Sequence, residues 1–339
     1  MLSSSRGKAN DGDGRNDNKS AAITITPPTT ALHGLIPLGY AGLRLDQALA
    51  RLFPDYSRSL LQAWVKEGLV QVNGVALETK SKVWGGEKVV VHAVARPGLE
   101  AQPQDIALNI VHEDDALIVI DKPPGLVVHP GNGNVSGTLM NALLFHAPAL
   151  ASLPRAGIVH RLDKDTSGLM VIAKTEQCHT HLISQLQARS VTRLYHAIAV
   201  GQTPAKGRVI AAIGRHPTQR TKMAAMEQGK AATTHFRVLK QTSQWSLLEC
   251  KLETGRTHQI RVHLAHLGFP LIGDPTYGNR GREGKLPLAA RQFKRQALHA
   301  DQLALIHPAT GKEVQWQRPA PEDFQQLLAA LERGDSTLA

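Results

Sequence analysis

Residues 157–174 read Gly-Ile-Val-His-Arg-Leu-Asp-Lys-Asp-Thr-Ser-Gly-Leu-Met-Val-Ile-Ala-Lys. Apolar residues open and close this segment, and between them lie two cations, two carboxylates, two hydroxyls and a glycine. A charged turn between two buried strands would have this composition, because polar residues and glycine gather in turns. So dense a polar cluster between two apolar runs also indicates a functional site. The rest of the chain decides between these two interpretations.

The composition is that of an ordinary globular protein. The chain has 339 residues, of which 42% are hydrophobic, and this length leaves room for two or three domains. No apolar run approaches the roughly 18 residues that a membrane span needs. The first residues lack the apolar core of a signal peptide. We therefore expect a cytoplasmic protein that makes no use of a membrane.

The charge balance points to a polyanionic partner. The formal net charge is +11 and the pI is about 9.8, which favours nucleic acid first and an anionic membrane surface second. Only 4% of the residues are aromatic, and this weighs against a single-strand binder built from stacking rings. If RNA is the partner, we expect phosphate contacts and shape to dominate recognition.

The cysteines and histidines give no metal-binding pattern. The two cysteines, Cys178 and Cys250, lack the spacing of a disulfide framework or a zinc site. We interpret Cys178-His179-Thr180-His181 as the start of an amphipathic helix. The histidines at 258, 263 and 266 lack the His-Glu-x-x-His spacing of a zinc hydrolase. We predict no metal and no cofactor.

The chain divides into segments of different composition. We predict a disordered tail over residues 1–30, a small module over 31–96, a linker over 97–106, a larger domain over 107–332 and a C-terminal tail over 333–339. The first segment is poor in large apolar residues and cannot offset its ordering entropy. Strands cluster along the larger domain and do not alternate with helices, which predicts an α+β class with a largely antiparallel or mixed sheet.

Helix signals are clear at several places in the larger domain. Thr138 is a good N-cap for a helix through His146, and a helix is predicted over residues 176–188. An alternating and then wholly apolar strand follows over 191–200, and a terminal helix begins near Glu322.

The small module combines two short helices with a small sheet. Apolar residues at helical spacing predict a helix over 43–53, and a second helix runs from Arg58 to Glu67. Asn73-Gly74 predicts a type I′ hairpin turn between two short strands.

This module resembles the S4 RNA-binding domain. The resemblance rests on Arg-Leu-Asp at 44–46, Ser-Arg-Ser at 57–59 and Val-Gln-Val-Asn-Gly at 70–74. It implies an RNA-binding face of the αL type, and its candidate RNA contacts are Arg44, Arg58 and Lys66. Taken alone, the module predicts RNA binding and no chemistry.

His160-Arg161-Leu162-Asp163 invites comparison with the catalytic loop of protein kinases. That loop needs His-Arg-Asp and an Asn five positions after the Asp. Here the Asp comes one place late, residue 168 is Gly, and no Asp-Phe-Gly is present. We reject a kinase.

Five ordered blocks resemble the RluA family of pseudouridine synthases. The first is the His-Arg-Leu-Asp-x-x-Thr-Ser-Gly-Leu pattern that begins at His160. The other four are Lys122-Pro-x-Gly-x-x-Val-His-Pro-Gly131, Arg193-x-Tyr-x-Ala197, Gly255-Arg-Thr-His-Gln-Ile-Arg-Val-His263 and Gly273-Asp-Pro-x-Tyr-Gly278. The resemblance spans residues 31 to about 330. It implies a catalytic domain with a bent, mostly antiparallel or mixed sheet flanked by helices.

The resemblance also implies a reaction and its residues. Pseudouridine forms when the C1′–N1 bond breaks, the uracil turns and C5 joins C1′, without net redox change or hydrolysis. Asp163 matches the catalytic carboxylate, Arg261 its cationic partner and Tyr195 the family tyrosine, which can stack on uracil or relay the C5 proton. Two roles stay open for Asp163 on the sequence alone: a nucleophile, or a base that also stabilises positive charge at C1′. Asp165 is expected to be a structural ion partner.

Further residues match the substrate site. Arg161 is expected to fill the gap that the flipped nucleotide leaves in the RNA stack, and Ile260 to close one face of the base. His160 and Thr166 are expected to touch substrate or shape the loop. Lys122 is expected to be site scaffolding that also touches the RNA backbone.

Basic loops are expected to form a phosphate track on large-subunit ribosomal RNA. Their candidate contacts are Arg215, Arg220, Lys222, Arg280, Arg282, Arg291, Lys294 and Arg295. The S4-like module favours a stem-loop of the large ribosomal subunit or its precursor, and we expect a monomer. The alternatives are a family synthase acting on transfer RNA or another ribosomal site, and a non-catalytic RNA-binding assembly factor.

Overall fold

The structure is a computed structural model of the 339-residue chain. It describes residues 29–53, 58–94, 101–131, 134–219, 221–278 and 286–334, and for residues 29, 30, 58–60, 93 and 94 it describes the backbone alone. The predicted tail up to residue 28, part of the predicted linker and the last five residues lie outside this description. So do Arg220, Arg280, Arg282 and the side chain of Arg58.

The chain divides into two compact units, residues 1–98 and residues 99–339. The first unit holds one four-stranded sheet, in the order β1-β4-β2-β3 with antiparallel neighbours, and two helices. Its elements are β1 (Thr29–Leu35), α1 (Leu45–Leu52), α2 (Arg58–Lys66), β2 (Val70–Val72), β3 (Val75–Ala76) and β4 (Lys88–Val94).

The core of the first unit follows from its periodicity. Leu45 and Leu49, one turn apart on α1, are fully buried, and Trp64 on α2 packs in the same cluster as Val70 and Val91 of the sheet. This burial confirms the predicted amphipathic helices.

Two local features of the first unit bear on the sequence predictions. Asn73 and Gly74 have φ of 50° and 82°, which a type I′ turn requires and which confirms the predicted hairpin. β1 begins at Thr29, inside the segment predicted to be a tail, because its backbone pairs along β4 from Thr29 to Leu35.

The second unit is built on one nine-stranded mixed sheet. The strands run in the order β5-β6-β7-β14-β8-β13-β12-β9, with β15 beside β14, and among the described strands only β7 and β14 pair in parallel. Its strands are β5 (Ile110–Glu113), β6 (Leu117–Lys122), β7 (Ser167–Ala173), β8 (Thr192–Val200), β9 (Lys206–Ile210), β10 (Ile213–Arg215), β11 (Met223–Ala225), β12 (Thr233–Gln241), β13 (Trp245–Leu252), β14 (Leu298–Ile306) and β15 (Glu313–Gln317). β10 and β11 form a separate hairpin.

Helices cover both faces of this sheet. They are α3 (Leu139–His146), α4 (Glu176–Gln187), α5 (Gln259–His266), α6 (Leu288–Gln292) and α7 (Glu322–Arg333). Ile118 and Ile120 of β6 pack toward α3, whereas Leu117 and Val119 pack toward α4. Burial on both faces explains why β6 and β7 are almost wholly apolar. The α+β class and the mixed sheet are confirmed.

The fold brings three distant segments to one place. The polar loop 158–166 leads into β7, Tyr195 lies on the buried face of β8, and α5 begins just after the polar turn at 254–258. None of the described helices is both long enough and apolar enough to cross a membrane.

Candidate active site

One cavity of about 880 Å³ collects most of the predicted site residues. Its walls include, among others, His160, Arg161, Asp163, Thr166, Tyr195, Ile260 and Arg261. Tyr195 and Ile260 are buried side chains of the main core cluster. The polar cluster at 157–174 therefore lines a cavity and is not simply a surface turn.

Asp163 and Arg261 form the ion pair that the resemblance implied. Arg261 Nη1 donates to Asp163 Oδ2 over 2.9 Å. The other edge of the guanidinium binds Asp274, with Nε donating to Oδ2 over 2.8 Å and Nη2 to Oδ1 over 2.9 Å. One arginine thus bridges two carboxylates, and the bidentate contact fixes the plane of the guanidinium that holds Asp163.

Electrostatics keeps this bridge charged. Burial alone would lower the pKa of Arg261, but the hydrogen bonds and charge of Asp274, followed by those of Asp163, raise it well above its ordinary value. Burial would raise the pKa of Asp274, yet Arg261 and the amides of Thr276 and Tyr277 lower it. Asp163 therefore faces a permanent cation of fixed orientation.

Asp274 was not assigned a role from sequence. It stands in the quoted block that begins at Gly273, but its partner lies 13 residues away and no local pattern shows the contact. Only its contact with the expected catalytic arginine in the folded protein draws attention to it.

His258 is a second group near Asp163, and sequence analysis assigned it no role in the site. It precedes α5 in the left-handed region with φ of 57°, and its Nε2 lies 3.8 Å from Asp163 Oδ1. Its Nδ1 lies 2.8 Å from the Tyr277 hydroxyl, which accepts a hydrogen bond from the Met223 amide over 2.9 Å. Burial lowers the pKa of His258 despite the nearby Asp163 charge.

Backbone and side-chain contacts hold the loop that carries Asp163. The Thr166 amide donates to the Asp163 carbonyl over 3.1 Å and closes a turn. The Gly125 amide and Lys122 Nζ each donate to the Lys164 carbonyl over 2.9 Å. Three hydrogen bonds thereby fix the chain at Asp163 and in the residues that directly follow it.

Lys122 is buried and does not line the cavity, contrary to the expected contact with RNA backbone. Its side chain is fully buried, and Nζ donates to the carbonyls of Pro123, Leu126 and Lys164 over 2.8–2.9 Å. Burial lowers its pKa to about 7, although Asp165 and Asp163 act to raise it. These hydrogen bonds agree with the other part of the expectation, that Lys122 is scaffolding for the site.

His160 and Thr166 also act on the loop itself. The Val171 amide donates to His160 Nε2 over 3.1 Å, and burial together with the Arg193 charge lowers the pKa of His160 to about 3. Thr166 Oγ1 accepts a hydrogen bond from Gln296 Nε2 over 3.1 Å. Both side chains reach the cavity wall while tying the loop to its neighbours.

Tyr195 is buried at the cavity wall. Its side chain is 6% exposed, and burial raises the pKa of its hydroxyl. It therefore enters any reaction as the neutral phenol.

Arg161 is exposed at the cavity wall, as a residue that meets RNA should be. Four further arginines that sequence analysis did not assign lie on the same wall: Arg155, Arg189, Arg193 and Arg256. All but Arg193 are exposed. The cavity wall therefore carries more cations than carboxylates, although Glu253 on the same wall pairs with Arg189.

The other predicted RNA contacts are scattered over the surface. Lys66, Arg215, Arg291 and Lys294 are exposed and Lys222 is half-buried. Arg44 is partly exposed, and its Nε donates to Asp46 Oδ1 over 3.1 Å.

Arg295 does not belong with these surface cations. It is 8% exposed, its Nε and Nη2 donate to the Asp323 carboxylate over 2.6 and 2.8 Å, and its Nη1 donates to the Asp165 carbonyl over 3.1 Å. Its charge is already neutralised inside the protein, so we leave it out of the RNA-binding set. Asp165 binds Arg295 through its backbone carbonyl, and its carboxylate forms no ion pair within the described residues, contrary to the expected role as an ion partner.

The described residues contain no group of three or more histidine, cysteine or acidic side chains arranged to hold a metal ion.

Family models match both units of the chain. The model described as RNA pseudouridylate synthase covers residues 116–266, and the S4 domain model covers residues 43–89. The first range includes the Asp163 loop, Tyr195 and Arg261.

Relatives of known name align with most of the chain. A Pseudomonas aeruginosa protein named ribosomal large subunit pseudouridine synthase D is 52% identical over 301 residues, 87% of this chain and 94% of that protein. Proteins of the same name from Nitrosomonas europaea and Escherichia coli K12 are each 51% identical to this chain. The alignment with the Nitrosomonas europaea protein covers 95% of this chain and 95% of that protein. The alignment with the Escherichia coli protein covers 86% of this chain and 91% of that protein.

A solved structure shares the fold. Human RNA pseudouridylate synthase domain containing 4 aligns with a TM-score of 0.52 and 29% identity, over 66% of this chain and 93% of that chain. With the relatives at this identity and coverage, the chain belongs to the RNA pseudouridylate synthase family, as an RNA pseudouridine synthase that carries an S4 domain.

Proposed function

We propose that this enzyme isomerises uridines to pseudouridine in 23S ribosomal RNA of the large subunit or its precursor, in a stem-loop. The observation that carries the proposal is the Asp163–Arg261–Asp274 bridge beside Tyr195 in one cavity. The names of the relatives support the large-subunit substrate. The S4 domain supplies a second RNA-binding surface.

Asp163 is the catalytic carboxylate in this proposal. Arg261 pairs with it and holds it at the cavity wall, and the cavity is large enough for one flipped nucleotide. The C1′–N1 bond breaks with Asp163 facing the sugar, the uracil turns without leaving, and C5 bonds to C1′. The C5 proton is then lost and N1 gains a proton. Tyr195 lies close enough to stack on the base or relay the C5 proton.

Arg161 occupies the vacated place in the RNA stack. Extruding a base costs a few kcal/mol, and an exposed guanidinium at the cavity wall can offset part of that cost. Ile260 packs against the base, and His160, Thr166 and Lys122 hold the loop. The exposed cations contact phosphates. The enzyme works as a cytoplasmic monomer.

Pseudouridine mapping tests the substrate. Large-subunit RNA from cells that lack the protein should miss specific pseudouridines, and purified enzyme should restore them in that RNA. Transfer RNA should be unchanged. Loss of pseudouridine from transfer RNA alone would contradict the ribosomal substrate, and unchanged modification in all RNA would favour a non-catalytic factor.

A further inference from the structure

Arg193 is a buried cation without a counter-charge. It is 7% exposed, and its Nε has no hydrogen-bond partner. No carboxylate of the described residues forms an ion pair with it. Burial lowers its pKa, and the one group that acts in the opposite direction is the hydroxyl of Tyr195, which is not a carboxylate.

Two other buried arginines in the described part of the chain show how unusual this is. Arg261 and Arg295 are 4% and 8% exposed, and each makes a bidentate contact with a carboxylate over 2.6–2.9 Å. Burying an unpaired charge is strongly unfavourable. A guanidinium kept without a partner therefore points to an anion that arrives with the substrate.

The fold makes room for Arg193 at the reaction site. It precedes Tyr195 by two residues on β8, so both side chains point to the same buried face, and both line the cavity. A Cβ at Gly255 would lie 2.8 Å from Arg193 Nη1. The glycine therefore lets the guanidinium lie directly under the turn that leads to α5.

The depth of Arg193 indicates which anion it meets. Arg155, Arg161, Arg189 and Arg256 are exposed around the same cavity, where phosphates of a bound strand pass. Arg193 is as buried as Tyr195, at the level of the extruded base. Uracil is neutral in the bound RNA, and it becomes an anion only when the glycosidic bond breaks.

We propose that Arg193 is a catalytic residue that stabilises the uracil anion formed on C1′–N1 cleavage, an inference that rests on the proposed function. As that bond breaks, its electron pair moves to N1 and spreads over O2 and O4, and the positive charge at C1′ is met by Asp163. Arg193 donates hydrogen bonds to the anion and keeps its proton. When C5 bonds to C1′ the same electron pair forms the new bond, and the later loss of the C5 proton and gain of one at N1 bypass Arg193.

Such a group acts on the transition state more than on the bound substrate. Arg193→Met should slow single-turnover conversion of uridine by about 100- to 1000-fold, the usual effect of removing one preorganised donor. The RNA dissociation constant should change by less than about threefold. Arg193→Lys should recover part of the rate, because it keeps the charge without the planar fork.

Two readouts separate this role from a structural one. Arg193→Met should unfold at an equal or higher temperature than wild type, because it removes an uncompensated buried charge. Its rate defect, followed as loss of the starting nucleoside, should be smaller on 5-fluorouridine RNA, because fluorine stabilises the uracil anion by itself. Arg237→Gln is the matched control and should behave as wild type. Arg237 lies exposed on β12 and pairs with Glu249 on β13.

Three results would overturn the proposal. A weakened dissociation constant with an unchanged single-turnover rate would make Arg193 a phosphate contact. A lowered unfolding temperature with equal defects on both RNAs would make it structural. A wild-type enzyme that converts no uridine in large-subunit RNA would overturn the proposed function and this role with it.

Discussion

Arg261 is the residue on which the geometry of the site depends. Its guanidinium divides its donors between Asp163, the proposed catalytic carboxylate, and Asp274, to which we assign no step of the reaction. The side chain of Asp274 is fully buried, and it orients and neutralises Arg261 while also accepting hydrogen bonds from the amides of Thr276 and Tyr277. The cost of losing it should appear in both stability and rate.

Replacing Asp274 by Ala should lower the free energy of unfolding by roughly 3–5 kcal/mol, because it leaves a buried cation with half its partners. Urea unfolding measures this. Glu249→Ala is the matched control, since Glu249 binds Arg237 in the same bidentate way, over 2.6 and 2.7 Å, but at an exposed position, and it should cost about 1 kcal/mol or less. Equal costs for the two variants would contradict the assigned importance of the buried bridge.

His160 makes stability depend on pH. Its pKa is about 3 in the folded protein against 6.5 in the unfolded chain, so between these values the unfolded chain binds more protons. The contribution of His160 to the free energy of unfolding is therefore complete above pH 6.5. It falls as the pH drops below that value, by up to about 1.4 kcal/mol per pH unit. His160→Asn should flatten that slope in urea titrations at pH 4–7. An unchanged slope would mean that other groups cause the dependence.

Residue-level prediction from sequence succeeded where residue type determines chemistry. Asp163, Tyr195 and Arg261 were placed together before the structure, and they do line one cavity. Lys122 and Arg295 were expected at the RNA because a cation in a sequence carries no sign of burial. Their partners, the carbonyl of Lys164 and the carboxylate of Asp323, lie 42 and 28 residues away, and such distances are set only by the tertiary fold.

At the scale of elements, the junction of β7 and β14 sets where the catalytic loop ends. These are the two parallel neighbours in the sheet, and Gly168 pairs with Ala300 there with φ of 112°. A Cβ at Gly168 would lie 2.3 Å from the Ala300 carbonyl oxygen. Only glycine allows this approach.

Gly168→Ala should therefore destabilise the protein by more than about 2 kcal/mol, because backbone strain and a backbone collision add. Gly125→Ala is the control, since Gly125 also has a positive φ, 87°, but open space around its Cβ, and it should cost only about 1 kcal/mol. Thermal or urea unfolding of both variants checks the difference. A Gly168 variant as stable as the Gly125 variant would argue against the tight junction.

Elements with strong periodicity or caps were predicted close to their bounds. α3 begins after the Thr138 cap, and α4 and α7 begin within a residue of the expected positions. β5 and the strands β9 to β11 were not foreseen, because they are short and mostly exposed or half-buried. A strand without an apolar face shows no alternation of apolar and polar residues in the sequence. Only its hydrogen bonds to a neighbouring strand define it.

At the scale of the whole molecule, charge governs the encounter with RNA. The chain carries a net charge of +11, and exposed arginines surround the cavity. Such a surface raises the local concentration of a polyanion and orients it before specific contacts form.

RNA affinity should fall steeply with salt. The logarithm of the association constant should decrease by roughly 0.7–0.9 per neutralised phosphate for each tenfold rise in salt. Replacing both Arg291 and Lys294 by Ala should reduce the slope by about 1 to 2, because both are exposed. Filter binding across a salt series measures it. A slope that the double variant leaves unchanged would remove these two residues from the interface, and a salt-independent affinity would refute the electrostatic account.

The most direct test of the central claim is tritium release from C5-labelled uridine in large-subunit RNA. Asp163→Asn should bind the RNA with nearly wild-type affinity and release no tritium, because it removes the proposed catalytic carboxylate. Asp165→Asn, two residues along the same loop, should release tritium at a rate close to wild type. Normal release by the Asp163 variant would contradict the assignment of Asp163 as the catalytic group.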